Sequence, residues 1–310
     1  PCTRRRHRGM TRLTRSTAAG RAYLDLQRRA RTEGRPTQEL LTLYVVERWL
    51  ARLAASPYAE QFVLKGGILL AAFDARRPTA DIDALARNFA NDEATVVARI
   101  VAIAEQSIPD DGVEYRTSTV TSRVIRDEDL YSGVRVAIDC GIASAVVKLR
   151  LDVNFGDPVT PAPQQIDLPA LRPQHPPIRI LGYPLETMLA EKITTAISLG
   201  PANTRVRDYA DVYTLTGDRA ISHSDARDAL IATATHRGTD VVALSSVIGN
   251  LIELRRRSYD AYRTGLGPDG AALPQEFATV VQSVLAFADR LIDAATPTTT
   301  WNGSTRIWMD

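Results

Sequence analysis

The chain has 310 residues with 45% hydrophobic and 24% charged side chains, proportions of a globular protein with enough apolar material for one large or two ordinary domains. No run reaches the roughly 20 apolar residues of a membrane-spanning helix. Two cysteines (Cys2, Cys140) and four histidines exclude a disulfide framework and make a Cys/His zinc site a poor fit, while the net charge is only +2.

Residues 1–15 carry Arg4, Arg5, Arg6, Arg8, Arg12 and Arg15 and read as a basic arm without fixed structure, either a stretch foreign to the natural protein or an upstream extension of a start at Met10. No apolar segment follows that would make it a signal peptide, so a cytoplasmic protein with no membrane association is expected. Residues 16–31 read as a helix. Gly34-Arg35-Pro36 breaks the chain, and Thr37 is placed as the N-cap of a second helix over 38–54, whose stripe is Leu40, Leu43, Tyr44, Leu50 and Leu53. Phe62 to Leu64 reads as a short strand ending in Lys65-Gly66-Gly67, and a helix to Phe73 follows the glycines. Asp81 to Leu85 reads as a strand, and 91–106 as a helix capped by Asn91 or Asp92.

From Gly112 to Phe155 the period becomes 2. Val134, Val136 and Ile138 alternate with polar or small residues, and so do Val147, Leu149, Leu151 and Val153, which predicts a mixed sheet with antiparallel members. Prolines crowd 158–184 and predict a connection and a domain boundary. Beyond it the pattern is helical: a stripe of Leu185, Leu189, Ile193 and Ile197, then candidates at 204–215, 223–235, 240–262 and 275–294. The Thr-rich tail 296–310 reads as loose. The expected organisation is an α+β core over 16–175, including N-terminal helices, followed by a helical domain over 176–310.

The segment Val63 to Leu85 carries the chemistry. Glycines between a strand and a helix let a phosphate approach the backbone, and free N–H groups at a helix start favour an anion. Asp81 and Asp83 are two apart on a strand and therefore share a face, where paired carboxylates suit a hard cation such as Mg²⁺. Asp152, flanked by Leu151 and Val153, faces the side shared by Arg150 and Asn154 and is a third candidate. A phosphate cradle beside clustered carboxylates is the minimum for metal-assisted nucleotidyl transfer. Gly-Gly or Asp-x-Asp alone is an ordinary turn or strand edge; the order and spacing together give the signal. Asp157, next to Pro158, reads as a turn former. In the C-terminal half, Glu191-Lys192 lies on an amphipathic helix, and Asp208 and Asp211 share a face of the next one. Lys192 could reach the β/γ-phosphates while Asp211 orients it or the acceptor hydroxyl. The Arg207/Asp211 spacing equally fits a surface pair worth about 0.3–0.5 kcal/mol.

Lys65-Gly66-Gly67, the stretch Arg77 to Asp83, Asp152 with Phe155-Gly156-Asp157, Glu186 to Lys192, and Arg205 to Asp211 resemble the signatures of the AbiEii-type nucleotidyltransferase toxins, the group that includes the mycobacterial MenT toxins of type IV toxin–antitoxin pairs. The resemblance covers about residues 60–215. It implies a DNA-polymerase-β-like core, a helical C-terminal domain, a cognate antitoxin, and transfer of a nucleotide from an NTP to the 3′ acceptor end of tRNA, which would block aminoacylation and translation. It implies that Asp81, Asp83 and Asp152 hold Mg²⁺, that Lys192 holds the triphosphate, and that Asp211 is the remaining essential acid. Lys65, Gly66 and Gly67 match the phosphate-side loop, where Gly67 stands in place of a frequent Ser. Thr79 matches a hydroxyl near the carboxylates, where a phosphate group would repel the incoming triphosphate. Arg205 and Arg207 could bind phosphates bidentately and, with Arg255-Arg256-Arg257, contact tRNA. The same residues would serve a nucleotidyltransferase acting on a protein or small molecule, and a catalytically idle binding protein is a third reading.

Overall fold

The computed structural model describes residues 13–73, 75, 77, 79–127, 131–293 and 298–310. Most of the expected basic arm lies outside these residues; of its arginines, Arg15 pairs with Asp25 at 2.8 Å. Helix α1 (Ala18–Glu33) starts where the Thr17 side chain accepts from the Gly20 N–H, and stops at Gly34, whose φ of 65° turns its N–H back to the Ala30 carbonyl. Helix α2 (Thr37–Ala54) follows at once. Thr37 is its first helical residue rather than its cap. The cap position belongs to Pro36, whose extended backbone, φ −61° and ψ 132°, marks the helix start.

Strand β1 (Phe62–Lys65) is followed by α3 (Gly66–Leu69), a single α-turn that tightens into a 3₁₀ turn over Leu70–Phe73. Next come β2 (Asp81–Ala86) and α4 (Glu93–Ala104), the latter capped by the Asp92 carboxylate on the Thr95 N–H. The period-2 region folds into β3 (Glu114–Asp127), β4 (Tyr131–Ile142) and β5 (Ala145–Phe155). The proline-rich segment contains two further strands, β6 (Gln164–Leu168) and β7 (Ile178–Gly182). Its prolines fall outside both strands and bracket them, so no ladder hydrogen bond is lost to proline.

All seven strands form one sheet in the order β3-β4-β5-β2-β1-β7-β6. The β1/β7 and β2/β5 pairs are parallel and the others antiparallel. The sheet therefore extends past the boundary expected at 175, because β7 pairs with the central strand β1. One face is apolar and buried: Ile82 and Ala84, Val134, Val136 and Ile138, Leu149, Leu151 and Val153. Helices α1, α2 and α4 pack against the sheet strands, and Tyr44, Val45, Trp49 and Leu50 of α2 are fully or almost fully buried. Removing such large apolar side chains from water supplies roughly 1.5–3 kcal/mol each.

The C-terminal part packs α5 (Leu185–Leu199) against α6 (Val206–Leu215) and, after the short β8 (Ala220–Ser222), against α7 (His223–His236). The expected helix over 240–262 is two pieces, α8 (Leu244–Val247) and α9 (Leu251–Gly265), parted at Gly249, whose φ is 50°. Helix α10 (Phe277–Ala288) packs on α6 and α9. The tail expected to be loose instead forms β9 (Thr300–Asn302) and β10 (Ile307–Met309), a three-stranded sheet with β8. Aromatic packing drives this: Trp301 is fully buried against Phe287 and Trp308, and its indole N–H donates to the Thr216 carbonyl at 2.8 Å.

Candidate functional site

Register across the sheet builds the site. The parallel β2/β5 pair sets Asp83 opposite Asp152, the antiparallel β1/β2 pair sets Lys65 opposite Asp83, and β4/β5 sets Arg135 opposite Asp152. Partners in a ladder point to the same face, so these side chains form one row on the face away from the apolar layer, with Asp81 beside it two residues before Asp83. The three candidate carboxylates thus lie on one side of the sheet. Asp83 bears the consequence. Burial pushes its carboxyl up to about 6; Lys65 opposes this, and Asp152, Glu191 and Asp81 add to it. Asp81 Oδ1 is buried with no hydrogen-bond partner, the Arg150 Nη1 lying 3.8 Å away. Asp152 is held by the Arg135 guanidinium, with Nε 2.6 Å from Oδ1 and Nη2 on the other oxygen.

These groups suit a hard divalent cation: oxygen donors only, mutual repulsion that a cation relieves, and one orphaned buried oxygen. Among the described residues no three acidic, His or Cys side chains stand at the separations of an assembled metal cage, and Arg135 engages both oxygens of the third carboxylate.

The glycines serve close approach. Gly66 has φ 69°, and a Cβ there would lie 2.1 Å from Asp83 Oδ2. A Cβ on Gly67 would sit 3.1 Å from both terminal nitrogens of Arg77 and 3.1 Å from the Thr79 hydroxyl. Lys65 does not point freely at this loop. Its ammonium is buried and donates to Asp157 at 2.5 Å and Glu191 at 3.1 Å. Those carboxylates raise its pKa despite the opposing burial. Asp157, expected to be a turn former, is a buried ion-pair partner that also accepts from the Tyr183 hydroxyl at 3.3 Å. The chain bends at Gly156, whose φ is 82°, while Lys65 arrives from 92 positions away.

Across from the sheet, α5 and α6 assemble a second charge cluster. Lys192 donates to Asp208 at 3.1 Å and Asp211 at 2.6 Å. Burial alone would lower its pKa, but Asp211 and Asp208 raise it. Arg77 grips Asp211 at 3.0 and 3.2 Å, and Arg205 Nε lies 2.7 Å from Asp208. Asp208 is held low: its burial is outweighed by Lys192 and Arg205. Arg207 is exposed at the cleft edge. Arg255, by contrast, donates to the backbone carbonyls of Asn203 and Ala202, so its guanidinium ties α9 to the turn before α6.

Between the two clusters lies a cleft of about 570 Å³. Lys65, Gly66, Gly67, Asp83, Asp152, Lys192, Arg205 and Arg207 line it; Asp81, Thr79 and Asp211 are not part of its lining. Its lining carries seven Lys or Arg against five Asp or Glu side chains, an excess suited to a polyphosphate. Arg77 and Asp157 stand inside stretches that carry the resemblance, but the sequence does not show their ion pairs; Arg135 and Arg237 carry no sequence signal and are brought in by sheet register and helix packing.

The family model described as "Nucleotidyl transferase AbiEii toxin, Type IV TA system" matches residues 48–283, more than half of the chain. No curated protein matches the chain. Similar solved structures include the nucleotidyltransferase toxin MenT4 of Mycobacterium tuberculosis H37Rv, with 17% identity, TM-score 0.49, and coverage of 90% of this chain and 89% of that one. JHP933 of Helicobacter pylori has 15% identity, TM-score 0.47, and coverage of 82% and 93%. A putative nucleotidyltransferase of H. pylori has 15% identity, TM-score 0.47, and coverage of 83% and 95%.

Proposed function

Because the chain belongs to the AbiEii nucleotidyl transferase toxin family of type IV toxin–antitoxin systems, we propose that it transfers a nucleoside monophosphate from an NTP to the 3′ end of tRNA, blocking aminoacylation. The observation that carries this reading is the in-register pair Asp83/Asp152 with Asp81 on the same face, opposite a cleft with an excess of cations.

In the proposed reaction the acceptor's 3′-hydroxyl oxygen forms a bond to the α-phosphorus. The bond from that phosphorus to the α,β-bridging oxygen breaks, its electron pair leaves with pyrophosphate, and the hydroxyl proton passes to solvent. Asp81, Asp83 and Asp152 would hold Mg²⁺, which when bound neutralises charge on the reacting phosphate and on the leaving group. Lys192 has three N–H donors; Asp208 and Asp211 take two, and the third is available to a phosphate oxygen in the cleft. Asp211 is the positioning residue, fixed from behind by Arg77. Arg205 and Arg207 stand at the cleft edge to receive the outer phosphates. Gly66 and Gly67 keep the loop low enough for Asp83 and Arg77 to approach it. Thr79, beside Gly67, is where an antitoxin-directed phosphate would place like charge against the triphosphate.

The test is transfer itself. Pure protein is incubated with each of the four α-³²P-labelled NTPs and Mg²⁺, with total tRNA or with total protein as acceptor. Label on tRNA that a 3′ exonuclease removes supports the reading. Label on protein alone assigns the acceptor to another class and refutes the tRNA assignment.

A further inference from the structure

The row that contains Asp83 and Asp152 continues outward. Beyond Arg135 on β4, the β3/β4 ladder sets Arg123 directly opposite Arg135. The order across five strands is therefore Arg123, Arg135, Asp152, Asp83, Lys65. From Arg123 to Asp83 this row spans about 14 Å at ordinary strand spacing. A second line runs along β5: Lys148, Arg150 and Asp152 alternate with buried Leu149 and Leu151 and so share the same open face. It covers about 13 Å. The two lines meet at Asp152; in the angle between them Thr121 pairs with Ala137, and Arg116 with Asp139, which stands opposite Lys148.

This face has cations that the fold itself does not require. Like charges directly opposite in a ladder destabilise a sheet, yet Arg123 and Arg135 stand so, and none of the described carboxylates pairs with Arg123. Arg150 is half exposed and reaches Asp81 only at 3.8 Å, while Lys148, also half exposed, meets Asp139 at 3.0 Å. Among the side chains described on β3–β5, this face holds Arg116, Arg123, Arg135, Lys148 and Arg150 against Glu114, Asp139 and Asp152, and Arg116 already has Glu114 at 3.3 Å. An external polyanion is what such an arrangement complements, and one whose end must reach Asp83 and Asp152 is an acceptor strand. We infer that the open face of β3, β4 and β5 is the docking surface for the single-stranded 3′ end of the acceptor RNA, its phosphodiesters lying on Arg123, Arg150 and Lys148 as the terminal hydroxyl enters the cleft. This rests on the proposed nucleic-acid acceptor and says where that acceptor lies.

The test measures binding separately from transfer. A fluorescein-labelled RNA hairpin with a four-nucleotide single-stranded 3′ overhang, and its blunt-ended counterpart, are titrated without NTP between 50 and 200 mM salt, with anisotropy as readout. Arg123→Gln and Lys148→Gln are each expected to weaken overhang binding about three- to tenfold and to lower the salt slope by about 0.7, one phosphate contact on a single strand. The KM for NTP should not move. Arg31→Gln, an exposed arginine on α1, should leave binding as in wild type, and the blunt hairpin should bind weakly to every variant. Relief of the Arg123/Arg135 repulsion predicts that Arg123→Gln does not lower Tm, which separates lost binding from lost folding. Unchanged affinity and slope in both variants, an equal loss with Arg31→Gln, or equal binding of blunt and overhanging RNA would overturn the inference. Failure of wild type to label any RNA in the transfer assay would instead refute the proposed function.

Discussion

Substituting Lys65 by methionine separates a phosphate ligand from an internal counter-ion, two roles the sequence could not distinguish. In the structure its ammonium lies 2.5 Å from Asp157 and 3.1 Å from Glu191, over the Tyr183 ring at 5.5 Å. Lys65→Met keeps most of the side-chain volume and removes the charge. Glu191 would still have Arg237 Nη2 at 3.1 Å. Asp157 would keep only the Tyr183 hydroxyl, leaving a buried carboxylate without a cation. Breaking a buried pair in this way costs about 3–5 kcal/mol. At about 2 °C per kcal/mol for a chain of this size, Tm should fall by about 6–10 °C. Adding Asp157→Asn removes the stranded charge and should recover at least half of the loss, whereas Asp157→Asn alone leaves Lys65 paired with Glu191 and should cost less. The Lys65 pKa is raised in the fold, so its stabilisation is fully present below the unfolded value near 10.5 and fades only in stronger alkali. The measurement is a four-protein thermal and urea unfolding cycle at pH 7.5, with the KM for NTP determined alongside. Strict additivity of the two substitutions, or a large KM increase with unchanged Tm, would refute the counter-ion assignment and return Lys65 to the phosphates.

Other expectations follow from the same geometry. Gly66→Ala combines a φ of 69° with a Cβ 2.1 Å from Asp83 Oδ2, so it should destabilise by about 1–3 kcal/mol or more and suppress transfer. Gly67→Ala meets only side-chain ends and should cost visibly less; equal unfolding midpoints for the two would contradict this ranking. Asp81→Ala and Asp152→Asn should each reduce transfer on the order of a hundredfold or more, and chelation with EDTA followed by Mg²⁺ should abolish and restore wild-type activity. A growth-inhibition assay in which Asp81→Ala stays as toxic as wild type would contradict the carboxylate assignment. His175 is held down at about 4 by burial and by Arg48 and Arg172. Folding therefore binds fewer protons than the unfolded chain between about pH 6.5 and 4, and stability from this residue is lost as pH falls through that window. His175→Gln should flatten the acid limb of a Tm-against-pH curve, and an unchanged limb would assign the acid lability elsewhere.

Local pattern was sufficient for much of this protein. Alternation identified β4 and β5, three- and four-residue spacing identified α2 and α5, and the paired Asp81/Asp83 identified the acidic strand, because backbone periodicity decides which side chains share a face. Composition misled where context overrides it. The prolines of 158–184 suggested a connection, yet they flank β6 and β7, whose pairing is supplied by β1 from far upstream. The Thr-rich tail suggested a loose end, yet Trp301 buries against Phe287.

The sequence by itself determined an α+β chain, a glycine loop beside an acidic strand, and the family to which those motifs belong. Only tertiary structure decided what each charge does. Register set Asp152 beside Asp83 and Arg123 beside Arg135, and helix packing turned Lys65 toward Asp157 and Lys192 toward Asp211. Periodicity is a property of consecutive residues and survives in the primary structure. The partner of a buried charge is fixed by contacts between strands and helices tens of positions apart, and no local pattern encodes that distance.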